Sequence, residues 1–424
     1  MLERSAIFYP ACAVLLGSAL LLRWLGLPFQ THDMQDFLLP WFEYIVTHGR
    51  FAALSDNFAN YTPPYLYLLT LATYLDGLID RAVLIKSVSM AFDFIGACVV
   101  FRIAVASGVA LRRAALCALL FLNLPTLILN GAVWGQCDII FVTFLLAFAF
   151  YLIRNRPFQA LLMYGVALSI KVQAIFAAPF VVYLVLSGTV PVFAVVMLPL
   201  IYAILVLPAA LAGRGWVSLL TIYADQAGIA QKLSARAPNF YLFVQHFLAP
   251  GLYPLAALVG LGLAGLVSVV VIATHFRASH QPKAVFIVTA LALWLALEPS
   301  LLPKMHDRYF FGADVFSFVM AILIPRTWWI AVLFQIGSAL SYSYFMMIDH
   351  PTPFDLHPAS MVGALAAIPA TLGVAWVYWR EFGSQRPTAQ SGPVVSVSGF
   401  SQGSALARPT KTKDRPGGKA SGSK

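Results

Sequence analysis

Between His32 and Asp56 the chain gathers four carboxylates (Asp33, Asp36, Glu43 and Asp56) and two histidines (His32 and His48), while the sequence on either side is almost wholly apolar. Acid groups held in such a polar island can exchange protons with a bound substrate. The stretch from Thr31 to Leu69 therefore reads as an active-site loop outside a membrane, with Asp33 as its catalytic group. Lys171 stands alone at the middle of the apolar run Phe158 to Leu186. An unpaired ammonium there costs roughly 2.5–3.5 kcal/mol even on insertion scales, so it needs an anion. The alternative is a lysine that snorkels from a helix end. Lys304, His306 and Arg308 form a further cationic group, with interfacial anchoring as their alternative. Asp138 follows Trp134-Gly-Gln136 at the start of an apolar run, where it can meet a substrate hydroxyl or cap its helix. Asp93, seven residues after Lys86, and Asp314, seven after Asp307, share a helix face with those residues and are expected to be hydrogen-bonded internally.

The elements that must position these groups are membrane helices. Of the 424 residues 60% are apolar and only 10% charged, and the mean hydropathy is strongly positive. Soluble domains carry roughly a quarter charged residues. The first apolar run, Ala6 to Leu22, lacks a small-residue cleavage site and is expected to be a retained span. Cys12, Cys98, Cys117 and Cys137 have no metal-ligand spacing and read as small hydrophobes buried in lipid. The net charge of +10 does not imply nucleic acid, because eight Lys/Arg lie between Arg380 and Lys424. That stretch, 381–424, is rich in Gly, Ser and Pro and is expected to be a disordered basic cytoplasmic tail near anionic lipid.

Ten apolar segments are unambiguous: 6–27, 86–106, 112–131, 137–153, 189–212, 251–275, 283–298, 309–325, 327–347 and 359–379. With Phe158 to Leu186 counted as two short spans meeting at Lys171, and Pro64 to Ile79 lying along the interface, about twelve crossings result. Arg4, Arg112, Arg113, Arg154, Arg156, Arg277, Lys283, Arg326 and the tail then fall on the cytoplasmic side, as the positive-inside rule requires. Both termini are cytoplasmic in this arrangement. Twelve acids, Asp349 and Asp355 among them, then share the outer face. The outer loop 28–85 is expected to hold two interfacial helices. Phe37, Trp41, Tyr44, Ile45 and His48 would form the apolar face of the first, with Asp36, Glu43, Thr47 and Arg50 opposite, and Leu66 to Ile79 the second. The expected fold is thus an all-α polytopic membrane domain over 1–380, followed by the tail.

Five motifs fall on the outer face of this arrangement. They are Thr31-His-Asp33 with Pro40-Trp41 and Tyr44-Ile45; Asn60-Tyr61-Thr-Pro-Pro-Tyr-Leu-Tyr67; Asn130-Gly-Ala-Val-Trp134-Gly-Gln136-Cys-Asp138; Lys171-Val-Gln173; and Lys304-Met-His306-Asp-Arg308-Tyr-Phe. In this order they resemble the GT-C glycosyltransferases. Within that superfamily the chain resembles bacterial proteins related to the second mannosyltransferase of GPI-anchor synthesis, over roughly residues 5–345. The resemblance implies a GT-C fold and transfer of one hexose, mannose above others, from a polyprenyl-phosphate donor on the extracytoplasmic face, with inversion. The acceptor is a glycolipid, polysaccharide or protein hydroxyl. By motif position Asp33 is the general base. His32 departs from the small residue common there, and Asp36 remains a rival base or metal ligand. No cofactor is implied, and a divalent metal at Asp33 and Asp36 stays open. Lys171 would meet the donor phosphate, with Lys304, His306 and Arg308 beside it. Asp36, Trp41, Tyr61, Lys86, Gln136, Asp138 and Gln173 complete the expected substrate contacts. The competing reading is a transporter or flippase of lipid-linked sugars. Against it stand the lack of an internal repeat and the collection of polar groups on one face. Oligosaccharyl or aminosugar transfer would call for longer outer loops or a soluble carboxy-terminal domain.

Overall fold

The computed structural model describes residues 5–228, 232–276, 283–350 and 357–383. Arg4, Arg277, Asp355 and the tail from 384 onward lie outside the described residues. The protein is an all-α polytopic membrane protein. In chain order its helices begin with α1 (Ser5–Gly26), α2 (Leu39–Thr47), α3 (Pro63–Ala72), α4 (Arg81–Ala106), α5 (Leu111–Phe121) and α6 (Pro125–Ile128). Then come α7 (Asp138–Ile153), α8 (Pro157–Ile170), α9 (Ala178–Leu186), α10 (Met197–Ala212), α11 (Trp216–Gly228) and α12 (Tyr241–Phe247). The last five are α13 (Tyr253–His275), α14 (Lys283–Leu301), α15 (Phe311–Leu323), α16 (Trp328–Met347) and α17 (His357–Tyr378).

Among the described residues seven helices are long and apolar enough to cross a membrane, and eight if the pair Leu111–Phe121 and Pro125–Val133, bent by 48°, forms one span. Three further apolar helices, Asp138–Ile153, Pro157–Ile170 and Val172–Leu186, are shorter. The break at Lys171 is present: the residue is extended (φ −147°, ψ 137°), and its carbonyl begins a tight turn, Val172–Ala177, rather than continuing α8. Central α14 packs against α7, α15 and α17. Phe121, Phe148, Phe180, Phe310 and Phe311 fill the interior. The surfaces of α1 and α13 are largely exposed apolar side chains, as a bilayer demands.

Two π-helical turns flank the polar segments, Met34–Leu38 and Leu129–Val133, and a third, Trp379–Gly383, follows α17. Such turns insert one extra residue and rotate the phase of the helix beyond them. The first changes the face that α2 buries. Met34, Leu38, Trp41, Phe42 and Ile45 point inward and Phe37 is exposed, contrary to the periodicity expected of an uninterrupted helix, while His48 is exposed because it lies past the end of α2 (φ −102°, ψ 27°). The second ends at Trp134 and Gly135. Gly135 has φ +82°, a conformation that favours glycine, and the Met34 side chain packs against it where the two turns approach. The segment expected as the second interfacial helix, Leu66–Ile79, is instead α3, starting at Pro63, followed by a tight turn over Thr73–Leu75. Asp80 caps α4 through Val83 N at 3.1 Å.

Candidate functional site

Asp33 lies just before the first π-turn. Thr31 ties that segment down, donating from Oγ1 to the carbonyl of Trp134 at 3.2 Å. Asp33 Oδ2 accepts hydrogen bonds from Gln136 Nε2 (2.7 Å), Trp134 Nε1 (3.0 Å) and Arg308 Nη1 (3.3 Å). No described residue hydrogen-bonds Oδ1. Gln136 Oε1 accepts from the Tyr61 hydroxyl at 2.9 Å, so its amide has a fixed sense: the NH2 faces the carboxylate, which can only accept. Ser89 holds the backbone behind it, donating to the carbonyl of Gln136 at 2.7 Å. The result is a carboxylate with one oxygen clamped and the other available.

A second polar cluster abuts the first. Asp138 accepts from Lys171 Nζ at 2.5 Å and from Asn130 Nδ2 at 2.8 Å. Lys171 Nζ also lies 4.8 Å from the centre of the Tyr61 ring, which in turn packs 5.1 Å from Trp41. Arg308 spans both clusters: its Nε is 4.0 Å from Asp138 Oδ2 and its guanidinium sits 5.7 Å above the Trp134 ring. Burial opposes the charge on Arg308, but Tyr61, Asp33, Asp138 and Asp307 around it outweigh burial and hold its pKa well above the usual arginine value. Burial also pushes the Tyr61 hydroxyl up, so it stays a neutral donor to Gln136. The neighbouring Asp307 is raised by burial, partly offset by its hydrogen-bonded partner His306.

These groups surround a cavity of about 260 Å³. Asp33, Trp41, Tyr61, Gln136, Lys171 and Arg308 line it, and so do Gln173, Lys304 and His306. Beside it runs a larger, mainly apolar groove of about 750 Å³, walled by Phe176, Tyr253, Leu258 and Leu261. Gln173, Lys304 and Tyr309 line both spaces and so mark their junction. Lys304 is exposed, has no side-chain partner among the described residues, and takes the left-handed conformation (φ +63°). Its N–H donates to the carbonyl of Leu233 at 2.7 Å. Next to it two short parallel strands, β1 (Ser234–Ala235) and β2 (Met305–His306), join the loops over the cavity.

Nine of the twelve residues expected to serve catalysis or substrate contact thus line one cavity, and three do not. Asp36 is exposed and meets His32 at 3.2 Å, while His32 also bonds Asp349 at 2.7 Å. The π-turn between Asp33 and Asp36 sends the two carboxylates apart. Lys86 is fully buried, its ammonium taken by the carbonyls of Gly26, Leu27 and Phe29 at 2.9, 3.0 and 2.5 Å. It caps the end of α1 rather than contacting substrate, and Asp93 pairs instead with Arg23 at 2.8 Å. Asp138 neither caps α7 nor faces the cavity, since Lys171 consumes it. Asp314 is hydrogen-bonded internally as expected, to Ser338 at 2.7 Å and Tyr342 at 3.3 Å. Trp134, Asn130 and Tyr309 are participants that sequence reasoning passed over. Each lies inside one of the five motifs, which was the only signal available. All four cysteines are free thiols. Among the described residues no set of three His, Cys, Asp or Glu side chains is arranged to hold a metal. No protein-family model matches the chain, and no curated protein matches it.

Proposed function

We propose that the protein is an integral-membrane glycosyltransferase of the GT-C type, with twelve crossings and its site on the extracytoplasmic face. It moves one hexose, mannose above others, from a polyprenyl phosphate to an acceptor hydroxyl on a glycolipid, polysaccharide or protein. The observation that carries this reading is the junction at Lys304, where a polar cavity containing a half-clamped carboxylate opens into an apolar groove. An amphiphilic donor needs that sequence of surroundings: sugar in the cavity, phosphate at the cation, isoprenoid along the groove. The short helices α7, α8, Val172–Leu186 and Phe311–Leu323 would account for the remaining crossings. At about 20–24 Å each they suit a membrane thinned around the site.

In the reaction the acceptor oxygen attacks the anomeric carbon as the bond from that carbon to the phosphate oxygen breaks. Asp33 Oδ1 takes the hydroxyl proton, and polyprenyl phosphate leaves with the bonding electrons. Gln136 and Trp134 hold Asp33 in position, and Lys304 with Arg308 stabilises the departing anion. Lys171, neutralised by Asp138, orients Tyr61 and the cavity wall.

The test is to incubate the purified protein with synthetic polyprenyl-phosphate hexoses and simple acceptor alcohols. Consumption of one donor, with release of polyprenyl phosphate, supports the proposal. Translocation of a labelled lipid-linked sugar across vesicles without transfer favours a flippase instead. Unchanged transfer in the presence of a chelator excludes a divalent metal at Asp33 and Asp36.

A further inference from the structure

We propose that the membrane face opposite the Asp33 cavity carries a built site for one anionic phospholipid, with its phosphate on Arg113 at the start of α5 and an acyl chain between α5 and α16. Helix α4 leads from one face to the other. Near its start Lys86 and Ser89 adjoin the functional site, and its 26 residues span about 39 Å. The turn from Ser107 to Ala110 therefore lies at the far face, and α5 re-enters the membrane there.

Arg113, Cys117 and Leu120, at spacings of four and three, present one side of α5 to a groove of about 620 Å³. Trp328, Val332 and Gln335 of α16 form the opposite wall. At its mouth is a second hollow of about 1040 Å³, lined by the turn at Gly108, by Arg112 and by Arg113. Arg113 borders both, so the headgroup hollow and the apolar groove meet at a guanidinium. Among the described residues no Asp or Glu lines either space. The N-terminus of α5 adds to this field, since Ala110 supplies no side-chain cap and the first N–H groups of the helix remain available to an anion.

The groove wants hydrocarbon rather than a polar ligand. Gln335 Oε1 is occupied by Thr126 N and Oγ1, both at 3.0 Å, and the Asn123 amide is spent on the carbonyls of Leu15 and Leu119 and on Ser18. What remains accessible is mostly apolar. From Arg113 to Asn123 the groove runs about 15 Å, half the hydrocarbon thickness and the depth of one leaflet. Basic pockets between membrane helices suit anionic lipid headgroups. Leu124 and Pro125 line the same groove and open α6, which leads through the second π-turn to Trp134, so a seated chain braces the bend that aims Trp134 at Asp33.

The test is lipid retention by the full-length protein, purified in mild detergent, exchanged into an equimolar mixture of phosphatidylglycerol and phosphatidylcholine, and read by native mass spectrometry. One phosphatidylglycerol per chain, retained several-fold over phosphatidylcholine, is expected. Arg113→Gln, and separately Val332→Trp with Arg113 kept, should each cut that retention about tenfold. Millimolar inorganic phosphate should not displace the lipid. Equal retention of the two lipids by the wild-type chain overturns the site without recourse to any variant. So does wild-type retention in both variants at an unchanged unfolding temperature, or displacement by phosphate, which would make it an anion site with no place for a lipid chain.

Discussion

The ammonium of Lys171 lies 2.5 Å from Asp138 Oδ1, so the cation that looks most in need of an anion already has one within the protein. Both side chains are almost fully buried. Their attraction repays desolvation only while the pair is intact.

Removing one member should therefore unfold the protein more readily than it alters donor binding. Lys171→Met leaves Asp138 buried and uncompensated and should cost about 3–5 kcal/mol, much of which the double variant Lys171→Met/Asp138→Leu recovers. Thermal unfolding in detergent measures both. A stable Lys171→Met chain with sharply weakened donor binding would return Lys171 to the phosphate.

Asp33→Asn keeps the shape of the side chain but cannot take a proton. Transfer should fall by roughly 10²–10⁴-fold while the unfolding temperature stays near that of the wild type. Full activity in this variant would remove Asp33 from the mechanism.

Gln136→Glu offers a sign test. A second carboxylate beside Asp33 Oδ2, where the Gln136 amide now donates at 2.7 Å, disfavours the ionised base. A base must be unprotonated to work, so the acid limb of the pH–rate profile should move to higher pH. An unmoved limb, with activity merely scaled down, would mean that Gln136 shapes the cavity without tuning Asp33.

Lys304→Ala should raise the KM for a polyprenyl-phosphate donor about tenfold, equivalent to about 1.4 kcal/mol, with a smaller change in kcat. The residue is exposed and unpaired among the described residues, so its loss should leave folding intact. An unchanged KM would count against the cavity–groove junction as the phosphate position.

Lys86→Met separates a structural lysine from a substrate contact. Three carbonyls at the end of α1 lose their donor, and stability should drop by about 1–3 kcal/mol or more. The donor KM should not change. A preserved unfolding temperature with a raised KM would reverse that assignment.

Much of the site was legible in the chain because a polar residue in an apolar setting is conspicuous. Asp33, Gln136, Lys171 and Arg308 stand out for that reason, and all four line one cavity. Trp134 did not stand out, because a tryptophan near a span end is ordinarily an interface anchor. Only the approach of the second π-turn to the first turns its indole N–H toward Asp33. Asp36 misled for a related reason: three residues from Asp33 suggests a shared face on a regular helix, and the π-turn destroys that phase.

The sequence alone determined that the protein lives in a bilayer and where its polar groups interrupt the apolar runs, because hydropathy and helix breaks are local properties. The tertiary structure decided which charges are spent on one another. Lys86 caps a helix begun some eighty residues earlier, Lys171 is neutralised by Asp138, and Arg308 reaches Asp33 from the far end of the chain. Lys304, by contrast, has no side-chain partner among the described residues and lines both the cavity and the groove. Pairings of that kind arise from how helices pack across the membrane, and no run of neighbouring residues encodes them.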